Sequence, residues 1–457
     1  MSATPKTTQV DLQILTGCEL HVHGGGCLFP EDLLALGRDH YEQVDWNHYI
    51  DFYEEVYGSR PDPIALFQRT LNGDAAALEQ FRQEVVVGSA DSGDFSRFQA
   101  KYNFGVCLMK HWEHKLDRRG EIVLRSAETH RREGLDYVEY RSMFMNLQED
   151  QEGFFRFHGR NAEILQSASG SDFTARYLIS IPRWAPLEGY DLVQQLLDQM
   201  PELVPTIIGL DFCFFEEGYP PKTVQPLFER LQKDNQERPE RALEVAYHVG
   251  EAFFDKSLES AVRWCHEVAE MGAKRLGHAI ALGLDPVVAV ARRPKAHEAE
   301  PVNERLDQIA YDLAHQEALA AYGVAVDVVA LETEREALAQ RPDDELVTRP
   351  YTPEQLAAVR RRQDFVLNRL AELGTVIETC PTSNLRIGGV PSPAEHPVHR
   401  FLRSDVNLVI SADDPGTFNA PLAAEVEWVL THSGYDPASL VERLGDPRRF
   451  RFHRKGV

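Results

Sequence analysis

Eight short apolar runs recur along the chain, and most are separated by segments in which apolar residues follow three- and four-residue spacing. Apolar runs of this length bounded by turn residues predict buried strands, and the intervening spacing predicts helices. The predicted strands span residues 14–23, 136–143, 175–181, 205–213, 243–249, 274–278, 375–380 and 406–412. Eight strands that alternate with helices predict an α/β fold, a (β/α)8 barrel of the TIM type.

Two stretches make the chain longer than the roughly 250 residues typical of this barrel. A helical stretch follows the first predicted strand and continues to about residue 134. A charged, proline-punctuated segment at about residues 285–350 follows the sixth. We interpret this segment as a helical insertion, because it is too short and too polar for a core of its own. The prediction is a single barrel domain over residues 1–457, with the insertion on the C-terminal face of the barrel.

Charge and cysteine content narrow the classes of function. The chain has 48 Lys and Arg against 72 Asp and Glu, a net charge of −24. That balance argues against nonspecific binding to nucleic acid or to anionic membranes, which needs clustered positive charge. The first 13 residues lack the apolar core of a signal peptide. Six scattered cysteines without a Cys-x-x-Cys pair favour a reducing compartment, so we expect a cytoplasmic protein; a homo-oligomer stays open.

Polar residues at the predicted strand ends point to a metal site. They are His21 and His23 at the end of the first strand, His248 at the end of the fifth, His278 at the end of the sixth, and Asp413 and Asp414 after the eighth. His21 and His23 share a face of their strand, because alternate side chains of a strand point the same way. In a closed barrel these strand ends surround one pocket. Imidazoles and a carboxylate are suitable ligands for a zinc ion that keeps one position for water.

A carboxyl group for proton transfer follows the fifth strand. Glu251 lies shortly after His248 and Gly250, so it is near the predicted metal without needing to bind it. Such a carboxyl can transfer a proton if burial or a neighbouring charge adjusts its pKa. His278 is the natural partner for orienting or deprotonating the water. Asp414 is either a second ligand or a hydrogen-bond partner of the substrate.

Five ordered blocks, ELHVHGGG, YHVGE, RLGHAIAL, ETCPTSNL and SADDPG, resemble the motifs of the adenosine deaminase family within the amidohydrolase superfamily. The resemblance extends from the first to the eighth strand and leaves out the 285–350 insertion. It implies a zinc-dependent hydrolytic deamination in which zinc-bound hydroxide attacks C6 of an adenine-type ring and ammonia leaves. Its partner would be a small purine nucleoside.

The resemblance also implies a role for each matched residue. One zinc ion per chain would bind to His21, His23, His248 and Asp413. Glu251 would protonate the ring nitrogen N1, and His278 would hold and help to activate the water. Asp414 would contact N7 of the purine.

Two positions depart from the pattern of adenosine-specific members. Those members carry, after the histidine pair, an aspartate that holds the ribose 5′-hydroxyl, and this chain has Gly25 there. After the fourth strand they have a glycine whose amide meets ring N3, and this chain has Phe214. The resemblance therefore predicts intact catalytic residues beside an altered sugar-binding surface that includes Gly25 and Phe214.

Four residues near the motifs permit two interpretations each. Ser383 and Asn384 either cap a turn or line the pocket. Glu139 and Arg141, on one face of the second strand, are either a buried ion pair or substrate contacts.

The leading hypothesis is hydrolytic deamination of adenosine or of a related or modified adenine nucleoside. An alternative enzyme would hydrolyse another C–N bond or an amino-heterocycle on the same metal. An alternative from another class is a non-catalytic purine-binding or assembly protein. A complete ligand set together with Glu251 favours the enzyme, because a binding protein does not need the acid.

Overall fold

The computed structural model describes residues 11–292 and 299–453. Residues 1–10, which form most of the segment judged to lack a signal peptide, lie outside the described residues. Residues 293–298 of the predicted insertion also lie outside them. In the described ranges, no helix combines the length and the apolar character needed to cross a membrane.

Eight parallel strands form the central sheet, in the order β1-β2-β3-β4-β5-β6-β9-β10. The strands are β1 (Cys18–His23), β2 (Tyr137–Met143), β3 (Thr174–Ser180), β4 (Ile207–Phe212), β5 (Glu244–Val249), β6 (Arg275–His278), β7 (Ala299–Pro301), β8 (Leu346–Thr348), β9 (Val376–Thr379) and β10 (Asn407–Ile410). β7 and β8 pair with each other as a separate antiparallel ribbon. The predicted (β/α)8 barrel and its eight strands are confirmed.

The sheet closes at the C-terminal ends of its first and last strands. The Asp413 amide donates to the His21 carbonyl, and the His23 amide donates to the Asp413 carbonyl, both at 2.9 Å. Asp413 has a φ of 63°, so this closure holds a non-glycine residue in the left-handed region. The closing hydrogen bonds therefore place three polar side chains at one point of the rim.

Helices surround the barrel and make up most of two long segments, one between β1 and β2 and one after β6. They are α1 (Gln13–Thr16), α2 (Pro30–Gly37), α3 (Asn47–Tyr57), α4 (Pro63–Leu71), α5 (Ala75–Val85), α6 (Phe95–His114), α7 (Arg119–Arg132), α8 (Gln151–Ala168), α9 (Pro186–Gln199), α10 (Gln225–Glu237), α11 (Leu258–Met271), α12 (Pro286–Ala291), α13 (Val302–Ala314), α14 (Gln316–Ala321), α15 (Val328–Leu338), α16 (Pro353–Leu373), α17 (Pro381–Arg386), α18 (Val398–Arg403), α19 (Pro415–Phe418), α20 (Leu422–Ser433) and α21 (Pro437–Leu444). Short 3-10 turns include Gly24–Gly26 and Ile280–Leu282, directly after β1 and β6.

The first strand is shorter than its apolar run. Residues 14–16, predicted as strand, belong to helix α1, and pairing with β2 begins only at Cys18 opposite Tyr137. The apolar side chain of Leu15 is buried from the helix. A short apolar run is compatible with either element, and here the available strand partner decides where the strand begins.

The helices between β1 and β2 have an apolar cluster of their own. It is centred on the buried aromatic side chains of Trp46, Tyr49, Phe67, Phe81 and Phe104. α6 is the longest of these helices, and Asp94 caps it by accepting from the amides of Ser96 and Arg97. Its Tyr102 reaches the Gly24–Gly26 turn, so this helix connects the cluster to the rim of the barrel.

The insertion packs beside the barrel around a small apolar group. Val302, Ile309 and Leu338 are buried together between α13 and α15, which the polar character of the segment did not predict. Glu304 of α13 joins the insertion to α11 through a buried ion pair with Arg263 and a 2.8 Å hydrogen bond from Trp264. The organisation of the chain as a single domain stays a prediction.

A network of charged side chains lies buried inside the barrel. Arg141 pairs with Asp211 at 3.1 Å and with Glu378 at 3.2 Å. Arg275 pairs with Glu378 at 2.9 Å and also with Glu139. Glu139 and Arg141 are thus both in buried ion pairs, but not with each other. Their partners lie on β4, β6 and β9, none of which pairs with β2, because these side chains extend across the barrel interior.

Candidate metal centre and catalytic residues

Four predicted ligands converge at the C-terminal end of the barrel. His248 Nε2 lies 3.1 Å from His21 Nε2 and 3.2 Å from His23 Nε2. Asp413 Oδ1 lies 3.4 Å from His21 Nε2 and 3.2 Å from His23 Nε2. Nitrogen and oxygen ligands that bind one zinc tetrahedrally are about 3.3 Å apart, since each bond is close to 2 Å. These separations fit four ligands of one ion.

The opposite ring nitrogens of two ligand histidines face carboxylates. His21 Nδ1 lies 2.8 Å from Glu378 Oε2, and His248 Nδ1 lies 3.1 Å from Asp211 Oδ1. A carboxylate at Nδ1 favours a proton there and leaves the lone pair on Nε2. The Nε2 lone pairs of His21 and His248 then face each other across 3.1 Å, an arrangement that a cation between them would stabilise. The residues present therefore fit a bound metal.

Both supporting carboxylates are ionised. Burial opposes ionisation, but the neighbouring histidines and Arg141 hold the pKa of Asp211 well below its usual range. Arg141 and Arg275 likewise lower the pKa of Glu378 despite its burial. Burial lowers the pKa of His248 to about 3, although Asp211 opposes that shift, so this imidazole is neutral as a metal ligand must be.

Asp211 and Glu378 were not predicted as part of the site, and Arg141 was considered only as an ion-pair partner or a substrate contact. Each lies inside a predicted strand, where a charged residue in an apolar run was the available signal. Their supporting role depends on which strands are neighbours in the barrel.

His278 lies beside the four ligands with a different set of contacts. Its Nε2 is 3.8 Å from Asp413 Oδ2 and 3.5 Å from Glu251 Oε1. His278 also groups with His21, His248 and Asp413, with ligand atoms within 4.8 Å of one another. We place His23 in the ligand set because its Nε2 is closer to Asp413, at 3.2 Å against 3.8 Å for His278. Asn384 Oδ1 lies 2.8 Å from His278 Nδ1 and so orients the ring. Of the two interpretations of Asn384, this contact favours a place in the candidate site.

Glu251 is held at the rim by a carboxylate that the sequence did not single out. Glu216 accepts hydrogen bonds from the amides of Gly250 at 2.8 Å and Ala252 at 2.7 Å, which flank Glu251 on both sides. The loop after β4 thus fixes the loop after β5. The side chain of Glu251 is 20% exposed, so it is accessible to a substrate.

Asp414 is buried next to the ligand cluster. Burial and the negative charge of Asp413 raise its pKa well above its usual range, which favours a protonated carboxyl. Its Oδ1 has no hydrogen-bond partner among the described residues. A buried, unpartnered oxygen at the rim is available to a ligand.

The two positions that depart from the family pattern follow β1 and β4. A side chain at Gly25 would collide with the Tyr102 hydroxyl, so the space beside Gly25 is filled from α6. Phe214 is 41% exposed and has a φ of 69°. Tyr102 was missed because it lies on a helix distant in sequence from every motif.

The fold and the cluster define a class: a (β/α)8 barrel with a candidate metal centre at the C-terminal ends of its strands. A family model described as Adenosine deaminase matches residues 358–444. The adenine deaminase of Rhizobium leguminosarum bv. trifolii is 41% identical over 83 residues, which are 18% of this chain and 26% of that protein. The chain thus matches about a quarter of the length of this curated relative.

Two solved structures share the fold over nearly the whole chain. The N6-methyl-AMP deaminase of Arabidopsis thaliana has 15% identity and a TM-score of 0.55, over 97% of this chain and 94% of that one. An amidohydrolase of Burkholderia ambifaria with bound Zn has 12% identity and a TM-score of 0.54, over 99% and 92%. The predicted resemblance to the adenosine deaminase family is confirmed over the matched residues.

Proposed function

We propose that the chain is a zinc-dependent aminohydrolase that deaminates adenosine or a related or modified adenine nucleoside. The observation that carries the proposal is the convergence of His21, His23, His248 and Asp413, with Glu251 and His278 directly beside them. The match to the adenosine deaminase family and the relative named adenine deaminase support an adenine-type substrate.

One zinc ion per chain would be held by the three imidazoles and Asp413. Bound there, zinc would supply a Lewis acid that lowers the pKa of a coordinated water to about 7. The neighbour with bound Zn supports this metal.

His278 and Glu251 would move the protons of the reaction. His278 Nε2 would accept a proton from the water that adds to C6, while Asn384 holds the ring through Nδ1. Glu251 would donate its proton to ring N1, which makes C6 more electrophilic. His278 would then give the proton it took from water to the departing amine, and the remaining hydroxyl proton would return to Glu251, 3.5 Å away, as ammonia leaves and the C6 carbonyl forms.

Asp414 would orient the ring. Its raised pKa favours a protonated carboxyl, which can donate a hydrogen bond to a purine nitrogen such as N7. This supports a purine over the alternative of a simple amide, which offers no second ring nitrogen.

We also propose a reducing compartment, such as the cytoplasm. All six cysteines are free, and all are buried. Unpaired cysteines are typical of such compartments.

The test measures the amine released by zinc-loaded protein, which is ammonia from adenine, adenosine, 2′-deoxyadenosine and AMP and methylamine from N6-methyladenosine. Glu251→Gln should keep its zinc and lose at least about a hundredfold in kcat, because Gln cannot donate the proton. Glu427→Gln, on an exposed face of α20, is the matched control and should behave as the parent. Unchanged turnover by Glu251→Gln would refute the acid role. Bound zinc without turnover of any compound would favour another C–N bond or a binding protein.

A further inference from the structure

A second group of potential metal ligands lies where the insertion packs against a helix of the barrel. His266 and Glu270 belong to α11, and His315 directly follows α13 of the insertion. One nitrogen or carboxylate oxygen from each of the three residues lies within 4.8 Å of the other two. The cluster shares no residue with the candidate metal centre at the strand ends, so it calls for an explanation of its own.

Helix spacing brings the first two side chains onto one face of α11. Residues four apart in an α-helix are neighbours on its surface, so Glu270 lies one turn beyond His266. The Nε2 atom of His266 is 3.4 Å from Oε1 of Glu270. Two ligands of one tetrahedral zinc ion are about 3.3 Å apart, since each bond is close to 2 Å. The pair is therefore spaced as two ligands of a shared ion would be.

The imidazole of His266 has a buried nitrogen that the protein does not use. Its side chain is 0% exposed, and Nε2 has no hydrogen-bond partner among the described residues. The Glu270 carboxylate is near but does not form a hydrogen bond with it. Buried polar atoms in folded proteins nearly always have a partner. A metal ion between the two side chains would supply the missing one.

One tyrosine of the insertion orients both imidazoles. The Tyr311 hydroxyl lies 2.8 Å from His266 Nδ1, and the Tyr311 carbonyl oxygen lies 2.9 Å from His315 Nδ1. A carbonyl oxygen can only accept, so His315 Nδ1 carries the proton and Nε2 keeps its lone pair. The hydroxyl oxygen can accept from His266 Nδ1 in the same way. Metal-binding histidines typically have their other ring nitrogen fixed by such a partner.

The surroundings of the cluster are compatible with a bound cation. Phe365 of α16 packs against both imidazoles, with ring centroids 5.4 Å from His266 and 6.2 Å from His315. An apolar side of this kind limits the access of water to a metal site. Arg369, on the same helix, acts on His266 electrostatically, but its guanidinium is paired with Glu372. The carboxylate of Glu270 adds the negative charge that a divalent cation needs.

We propose that His266, Glu270 and His315 bind a divalent metal ion of the zinc class, in addition to the metal of the candidate centre. Two imidazoles and one carboxylate form an established zinc ligand set that leaves a fourth position for water. Because α11 belongs to the barrel and His315 to the insertion, the ion holds these two parts together.

The second site differs from the first in how firmly it keeps its metal. It has three protein ligands instead of four, and the side chain of Glu270 is 40% exposed. The ion therefore exchanges readily: it binds when free zinc reaches the micromolar range and is lost on dialysis against metal-free buffer. The proposal does not depend on the deaminase function.

The test measures the zinc bound by the whole chain at equilibrium with buffered free zinc, raised through the micromolar range. The parent should bind about two ions per chain, of which about one remains after dialysis against metal-free buffer. Glu270→Gln and His315→Gln should each bind about one ion at the same free zinc. The matched controls are Glu317→Gln on α14 and His48→Gln on α3, both exposed positions, which should bind as the parent does.

A variant of the first centre separates the two sites. Asp413→Asn, which disables that centre, should still bind about one ion in micromolar zinc. Its melting temperature should rise as zinc is added, because an ion that binds only the folded chain stabilises it. The double variant Asp413→Asn/His315→Gln should show neither effect. This comparison needs no turnover, so a failure of the proposed deaminase function would leave it intact.

Three results would overturn the proposal. A parent that binds no ion beyond that of the first centre would show that the cluster does not hold metal. A second ion that survives either Glu270→Gln or His315→Gln undiminished would break the three-residue ligand set. An equal loss of zinc from the two exposed control variants would show that the additional ion binds nonspecifically.

Discussion

The effect expected of a substitution at Gly25 depends on which side chain lies beside it in the folded protein. From the sequence alone, Gly25 is a missing aspartate, and replacing it would be expected to improve use of substrates with a free 5′-hydroxyl. In the structure, the Tyr102 hydroxyl and the Met109 side chain occupy the space that the new side chain needs. The expectation for the single substitution is therefore reversed.

Gly25→Asp should destabilise the protein by about 1–3 kcal/mol, as overpacking typically does. Tyr102→Phe removes the colliding hydroxyl, so the double variant Gly25→Asp/Tyr102→Phe should recover most of that loss. The measurement is a double-mutant cycle of urea unfolding. Additive effects of the two substitutions would show that Tyr102 does not fill this space.

The ligand role of Asp413 has a test that keeps its backbone intact. Asp413 has a positive φ, and asparagine is among the few residues that tolerate it. Asp413→Asn should therefore fold normally yet retain much less than one zinc per chain after dialysis, since a neutral amide is a poorer ligand. Asp405→Asn, an exposed neighbour in sequence, is the control. Full stoichiometric zinc in Asp413→Asn would remove Asp413 from the ligand set.

At the scale of elements, the loops after β4 and β5 act as a pair. Glu216, after β4, bonds the two amides that flank Glu251, after β5. Its carboxylate is suited to this because both of its oxygens accept, and an amide side chain offers only one accepting end.

Glu216→Gln should lower kcat about tenfold, with a much smaller change in KM, because one flanking amide loses its acceptor and Glu251 is less well placed. The pH profile of kcat should shift as well, which a purely structural defect would not cause. Glu217→Gln is the comparison, because Glu217 accepts from the Phe254 amide at 3.1 Å, further from the acid. Equal losses in both variants would argue against a specific positioning role.

At the scale of the whole molecule, several histidines are buried away from the site and remain neutral. Burial lowers the pKa of His130 to about 4 and that of His396 to about 3. His130 Nδ1 lies 2.6 Å from the Tyr140 hydroxyl, and His396 Nδ1 accepts from the Val398 amide at 3.1 Å. Both rings are well accommodated only in the neutral form.

This burial predicts a loss of stability in acid. Between pH 6.5 and about 3, His396 is protonated in the unfolded chain but not in the folded chain. The free energy of unfolding therefore falls as the pH falls through this window. His396→Asn keeps an acceptor near the Val398 amide and cannot titrate. Between pH 7 and pH 4, the free energy of unfolding of the variant should fall by about 2–3 kcal/mol less than that of the parent. Parallel urea-unfolding curves of the two proteins across this range would contradict the burial argument.

The strands and the ligand histidines were predictable because they depend on local pattern. Apolar runs such as residues 243–249 identify a buried strand wherever it lies, and in a parallel barrel every strand ends at the same face. His248 and His278 could therefore be placed at one rim before any contact was known. The bounds of β1 were wrong at their N-terminal side, because an apolar run does not show where strand pairing begins.

The groups that support and surround the site could not be predicted in this way. Contacts between segments far apart in sequence give four residues their roles: Asp211, Glu378, Asn384 and Glu216. Tyr102 comes from a helix in the long segment between β1 and β2. Their side chains carry no local signal of these partners. Their roles depend on which strands are neighbours and on where the helical segment between β1 and β2 contacts the rim of the barrel.

The sequence by itself therefore determined the barrel, the family resemblance and the residues that converge at the strand ends, since periodicity and strand direction are local properties. The tertiary structure alone decided which carboxylates face the ligand histidines and which carboxylate fixes Glu251. Those features arise from packing between distant segments, and packing is set by the whole chain at once.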